Sequence, residues 1–257
     1  MSSLHPTAIV DESATIEPEV CIGPFAIIGP SVRVGRGTEI CARATVERNA
    51  NIGSGCYIGS GAIIGGDPQD LKFSGEATWV DIGDNTRIRE YVTVNRGTAA
   101  SERTVVGSGC LLMSYVHVGH DCRIGDDVVL ANGVELGGHV FISDSVVVGG
   151  STSIHQFVRV GERAFIGGRS SVPRDIPPYI KAAGDPLKLY GTNTLGLRRA
   201  GVSSETRLAL KRAYRLIFNS ELPLSQALTK LKESNCTVPE VHQLLEFVTS
   251  SERGVSR

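Results

Sequence analysis

Aromatic residues are scarce in this sequence: one Trp, seven Phe and six Tyr make up 5 % of 257 residues. A core built on large rings is thereby excluded, because such rings carry much of the packing in ordinary globular cores. No apolar run approaches the ~18 residues of a membrane span, and the opening MSSLHPTAIVDES lacks the charged and apolar regions of a secretion signal. We therefore expect a cytoplasmic chain with no stable membrane insertion. Neither charge sign is in excess, with 26 basic and 27 acidic residues, and nothing in that balance points to nucleic acid. The six Cys, at 21, 41, 56, 110, 122 and 236, form no CxxC pair and no metal-ligand spacing, and read as reduced packing residues.

Glycine, by contrast, is abundant, with 30 residues where an average chain of this length has about 18. Disorder is excluded by a hydrophobic content of 41 %. The apolar residues follow one rule: Ile, Leu or Val recurs every sixth position in a single phase from Val10 to Val172, filling 25 of 28 slots. The exceptions are Asp70, Glu76 and Ala100. Asp70 and Glu76 lie in a polar segment, Pro68 to Thr78, that must leave the regular path, and such loops often carry function. Two positions before each filled slot stands a small residue, as at Ala26, Cys56, Cys110, Thr152 and Ala164, so both positions point into a narrow core. Gly follows the slot in 14 of 25 cases, suiting a turn too tight for a side chain. Period six is neither helical nor a simple alternating strand; it describes short strands joined by sharp turns and stacked into a prism. In this the sequence resembles the hexapeptide-repeat acyltransferases. The resemblance implies a left-handed parallel β-helix with triangular coils of about 18 residues, although ordinary parallel crossovers are right-handed.

The repeat stops after about residue 176, at DIPPYIKAAGDP, and helical signals follow. Ser203 or Ser204 is placed to cap one helix, and Thr237 with Glu240 forms a capping box before another. We expect residues 1–190 to form the β-helix, with an excursion near 66–79, and residues 191–257 a small α-helical domain covering an open end or a neighbour. Charge is uneven along the chain. Residues 181–215 hold eight basic and two acidic groups, which makes them either a solvated helix face or a surface for an anionic partner.

An 18-residue coil places positions 120, 138 and 156 in one column, about 4.8 Å apart. These are His120, Gly138 and Gln156; Asp121 stacks on His139 and Gly137 on His155, and His117 lies three residues before His120. None of these His fills an inward slot. Three readings compete: inert surface His; a zinc site like that of the γ-class carbonic anhydrases, which needs three donors converging tetrahedrally; and a general base. Neutral imidazole can take a proton from a sugar hydroxyl attacking an activated carbonyl, and the Gly138 amide can approach the developing oxyanion.

The segments PQDLKFSGE (68–76), IREYVTVNRGT (88–98), HVGHDCRIG (117–125), GGHV (137–140), IHQFVRVG (154–161), IPPYIKAAGDP (176–186) and NTLGLRRAG (193–201) resemble, in order, the acyl-ACP:UDP-N-acetylglucosamine O-acyltransferases that begin lipid A synthesis. The resemblance implies that His120 is the base acting on the glucosamine 3-hydroxyl, which attacks the thioester of a 3-hydroxyacyl-acyl carrier protein. It makes Asp121 the group that orients His120 and the Gly138 amide the oxyanion donor. Asp70, Lys72, His117 and His139 would bind the sugar or position the donor, and His155, Gln156, Asn193 and Arg199 would hold the nucleotide and its diphosphate. It implies a homotrimer with active sites between subunits, no metal and no cofactor. The basic block would then dock the acidic carrier protein through Arg198, Arg199, Arg207, Lys211, Arg212 and Arg215.

The chain departs from the family pattern at Gly119, Leu195 and Ala200. Where the family limits acyl length it has Gly168, which leaves the groove open to about 12–14 carbons or more, followed by Arg169. The later N-acyltransferase of the pathway carries a uridine-binding domain before its β-helix, for which repeats starting by residue 8 leave no space. Two alternatives stay open: a non-catalytic solenoid that binds sugar nucleotides, and an acyltransferase for a 3-amino sugar nucleotide.

Overall fold

The computed structural model describes residues 3–234 and 236–256. Its long part is a three-sided left-handed parallel β-helix. Strands of mostly two residues stack into faces of eleven, nine and eight members, in which every strand but the last of the first face pairs in parallel with the one a coil away. The six-residue phase produces this directly. Slot residues such as Ile28, Ile58, Leu112 and Leu130 are buried, as are the small residues two places earlier, such as Ala26, Val116 and Ala164, and together they fill one continuous core. The residue between them faces out, as Arg33 and Glu39 do. Leu4 also obeys the phase, and the first strand, Ser3–Leu4, pairs with Cys21 and Ile22, so the stack begins one slot earlier than expected.

Turn glycines follow from the pitch. A Cβ on Gly29 would stand 1.7 Å from the Glu47 carbonyl oxygen of the next coil, which no side chain tolerates. Other corners place non-glycine residues in the left-handed backbone region, among them Asp121, His139 and Phe157.

The three broken slots are two insertions at one corner, between the second and third faces. Ile63 pairs with Thr93, thirty residues on, and Thr93 with His117, twenty-four on, while His117 pairs with Glu135 at the undisturbed eighteen. Twelve extra residues thus leave the wall between Ile63–Gly66 and Trp79–Ile82, and six more between Thr93–Asn95 and Arg103–Val106. Both are multiples of six, so the core phase survives.

A hairpin of Ile180–Ala183 and Lys188–Thr192 closes the first face. Helices α1 (Thr194–Arg199), α2 (Ser204–Phe218), α3 (Leu224–Glu233) and α4 (Pro239–Thr249) follow and bury a second cluster that includes Tyr179, Leu210, Ile217 and Leu244. Ser203 caps α2, its side chain accepting from the Thr206 amide at 3.1 Å. The capping box expected from Thr237 and Glu240 does not form. The N-cap of α4 falls one residue later, on Val238, without a side-chain cap, because Pro239 takes the first helical position and has no N–H to satisfy. The cysteines also divide: Cys56, Cys110 and Cys122 pack inside, whereas Cys21 is exposed and Cys41 half-buried, since neither occupies an inward position of the repeat, and Cys236 packs half-buried against the helical cluster. All six are free thiols.

Candidate active site

The corner that carries both insertions also carries the histidine column. His120 Nδ1 lies 2.7 Å from Asp121 Oδ2. Sequence neighbours meet this way because Asp121 sits in the left-handed corner conformation, φ 61°, which turns its side chain back toward the preceding residue. The six-residue insertion then closes on the same carboxylate. The Thr98 amide donates to Oδ1 at 2.9 Å, Thr98 Oγ1 to Oδ2 at 2.7 Å, and Ser101 Oγ to Oδ1. Thr104 Oγ1 accepts from the Asp121 amide at 2.8 Å. Burial alone would push this carboxyl's pKa up, but the hydrogen bonds from Ser101, His120 and Thr98 outweigh it and hold the group down at about 2.

An ionised carboxylate only accepts, so His120 carries its proton on Nδ1 and leaves Nε2 bare. That ring lies directly over Gly138: a Cβ there would stand 2.6 Å from Nε2 and Cε1. The Gly138 N–H donates to no group among the described residues. A base lone pair and an unused amide donor therefore share one groove of about 430 Å³, lined also by Gln69, Asn95, His117, Glu135, His155 and Gln156. His117 Nδ1 is 2.8 Å from Thr93 Oγ1, and burial holds this His below its ordinary pKa.

His139 stands around the corner. It stacks on Phe157 at 4.5 Å and meets His120 edge-on at 5.1 Å, and its Nε2 is 3.6 Å from Asp121 Oδ2. It lines a different cavity, of about 670 Å³, on the third face. Burial lowers its pKa against the opposing fields of Asp121 and Asp70. His120, Asp121 and His139 bring one donor atom each within 4.8 Å, a spacing that fits a metal ion. Both Asp121 oxygens are already filled by Thr98, Ser101 and His120, so the trio is accounted for as a hydrogen-bond network.

The other expected residues are dispersed. Asp70 and Lys72 sit on the twelve-residue insertion, where the Lys72 amide donates to Asp70 Oδ1 at 3.0 Å. Asn193 caps α1: its Oδ1 accepts from the Gly196 amide at 3.2 Å and its Nδ2 donates to the Arg163 carbonyl at 3.0 Å. Arg198 and Arg199 are exposed in the last turn of α1. Along α2, Lys211, Arg212 and Arg215 are exposed and Arg207 half-buried, and none of these basic residues forms an ion pair among the described residues. Gly168 lies at the opposite edge of the second face, its Cβ position 3.1 Å from the Gly150 carbonyl oxygen. Thr98, Ser101, Gln69 and Asn95 were not expected from sequence; the one signal for the first two was the broken slot at Ala100.

A hexapeptide solenoid that places an oriented imidazole beside a free backbone amide has the architecture of an acyltransferase. Comparison with known proteins narrows the class. Residues 13–48 and 103–138 match the bacterial transferase hexapeptide repeat, and residues 175–256 match the second domain of UDP-N-acetylglucosamine O-acyltransferase. The acyl-[acyl-carrier-protein]--UDP-N-acetylglucosamine O-acyltransferase of Anaeromyxobacter dehalogenans strain 2CP-1 is 44 % identical over 256 residues, 99 % of this chain and 100 % of that one. The LpxA structure from Acinetobacter baumannii is 42 % identical with a TM-score of 0.96, covering 99 % of both chains. That of LpxA, a UDP-N-acetylglucosamine acyltransferase from Bacteroides fragilis, is 42 % identical with a TM-score of 0.97, covering 99 % of this chain and 100 % of that one. The chain belongs to the acyl-ACP:UDP-N-acetylglucosamine O-acyltransferase family.

A carboxyl whose pKa is depressed on folding adds stability above its unfolded value, and that stability is lost as pH falls through the folded one. For Asp121 the window runs from 3.8 down to about 2. Thermal unfolding of wild type and Asp121→Asn should show the wild-type advantage shrinking steadily between pH 5 and about pH 2. A constant difference across that range would contradict the assignment.

Proposed function

We propose that this chain transfers a 3-hydroxyacyl group from acyl carrier protein to the glucosamine 3-hydroxyl of UDP-N-acetylglucosamine, the first step of lipid A biosynthesis, with His120 as general base. The observation that carries this reading is the pairing of a bare His120 Nε2 with the unpartnered Gly138 N–H in one groove. Nε2 takes the proton of the 3-hydroxyl as its oxygen attacks the thioester carbonyl carbon. The carbonyl electron pair moves onto oxygen, and the Gly138 N–H donates a hydrogen bond to that oxyanion. Collapse re-forms the carbonyl and breaks the C–S bond, and the imidazolium returns its proton to the departing thiolate. Asp121 stays ionised throughout and stabilises the imidazolium, a role its three donors from the insertion and its low pKa prepare it for.

His117, His155 and Gln156 line the groove and contact the sugar nucleotide, while Arg199 offers a guanidinium fork to its diphosphate. Asp70 and Lys72, on the longer insertion, reach the acceptor or the acyl donor. His139 acts on His120 from the side rather than on the substrate. Arg198, Arg207, Lys211, Arg212 and Arg215 receive the acidic carrier protein. We assign the reaction to the cytoplasm and assign no cofactor or metal to it. No described helix is long and apolar enough to cross a membrane.

The base and Gly168 lie at opposite edges of one face, and we read the site as shared between subunits. A trimer in which the Gly168 edge of one subunit meets the His120 corner of the next provides such a site. Co-expressing His120→Ala and Gly168→Trp subunits should restore activity in about one quarter of the sites, since each intact site draws one good edge from each variant. Activity no higher than either variant alone would argue for a site within one subunit.

The reaction itself is tested by acyl transfer from 3-hydroxyacyl carrier proteins of several lengths to UDP-N-acetylglucosamine and to its 3-amino analogue. We expect turnover of the 3-hydroxyl acceptor with one preferred length, and a loss of about 10²–10⁴-fold in kcat for folded His120→Ala. Preference for the amino acceptor would change the substrate, and no turnover with either would leave a binding solenoid.

A further inference from the structure

The end of the chain returns to the corner that holds the site. Beyond α4 the Ser256 amide donates to the Asp175 carbonyl at 3.0 Å and the Asp175 amide to the Gly254 carbonyl at 3.2 Å. Val255 thereby pairs with Asp175 as a bridge. Ser251 Oγ donates to Asp175 Oδ2 at 2.8 Å, and the Arg159 guanidinium lies 4.7 Å over the Phe247 ring while donating to the Ser250 carbonyl. Val255 and Ser256 are buried. Chain ends usually fray unless tied down, and this one is tied at several points.

Between those ties stands Arg253. Its Nη2 donates to the Pro173 carbonyl at 3.2 Å and lies 3.2 Å from His155 Nδ1. The same Nδ1 is 3.0 Å from the Gln156 carbonyl oxygen. These two neighbours make opposite demands: the carbonyl needs a proton on Nδ1, whereas a guanidinium, which only donates, needs a bare nitrogen. A neutral imidazole satisfies one of them. The charge-assisted bond is the stronger, and Gln156 is exposed, so water can satisfy its backbone carbonyl where it stands.

We propose that Arg253 is a positioning residue that fixes His155 as the Nε2–H tautomer, so that His155 presents a donor to a phosphate oxygen of the sugar nucleotide. Phosphate oxygens at neutral pH accept, so the other tautomer would turn a lone pair toward an anion. The phosphate half of this inference rests on the nucleotide role proposed for His155 above; the tautomer half stands without it.

Nitrogen-15 chemical shifts of the His155 ring in the intact protein, without substrate at pH 8, read the tautomer directly. We expect Nε2–H in wild type and Nδ1–H in Arg253→Gln. With that change the KM for UDP-N-acetylglucosamine should rise about tenfold, with kcat within about twofold, and Arg253→Lys should recover part of the loss. In a His155→Ala background Arg253→Gln should cost nothing further. The same tautomer in wild type and Arg253→Gln would overturn the positioning role. A full additional loss in the His155→Ala background would overturn it too, making Arg253 a direct ligand. A tautomer switch with unchanged KM would overturn the phosphate role alone and leave the positioning role standing.

Discussion

Coils stacked at the spacing of parallel strands, about 4.8 Å, convert a fixed sequence separation into contact. Everything functional in this chain depends on that conversion. Residues 18 apart touch, so His120 lies over Gly138, and Asp121 and His139 occupy one column. The cost is rigidity of register. One residue added within a wall strand would turn every later slot outward, so extra chain leaves the wall at a corner, here as insertions of twelve and six residues. Both leave from the same edge of the prism.

The insertions act where the repeat has no means to act. A bare hexapeptide corner offers a buried carboxylate few partners, and desolvation would drive it toward its neutral form. The six-residue insertion supplies two hydroxyls and an amide to Asp121, which keeps it charged, and a charged Asp121 determines which nitrogen of His120 is free. The order of causes runs from an extra half-dozen residues, through one ionised carboxylate, to one lone pair in the groove. The longer insertion is anchored nearby. Buried Arg96 donates to the Gly65 carbonyl at 2.7 Å and pairs with Asp67 at the loop's start, while Asn95 Nδ2 donates to the Asp67 carbonyl at 2.7 Å.

How much of this was legible in the sequence follows from where the period holds. Inside the repeat, inward and outward positions are decided by phase alone, and the stacking of 120 on 138 is arithmetic on an 18-residue coil. Outside it, phase says nothing. Thr98 and Ser101 were invisible because an insertion has no register, and Ala100 could only mark that something left the wall. Arg253 was invisible because the route by which a helical segment returns to the solenoid has no periodic signature. Local signals outside the repeat carry only part of the structure. Asn193, which the resemblance places at the nucleotide, has a second duty that the resemblance did not show: it caps α1 and donates to the Arg163 carbonyl. Thr237 and Glu240 had capping-box spacing, but Pro239 between them set the helix start instead.

The central claim is that Asp121, held ionised by the insertion, leaves His120 Nε2 bare and available as a base. Nitrogen-15 shifts of the His120 ring, recorded above its titration, test this without substrate or turnover. The account predicts a protonated Nδ1 in wild type, with that preference weakened when Thr98→Val and Ser101→Ala are combined. A proton found on Nε2 of the wild-type ring would contradict it.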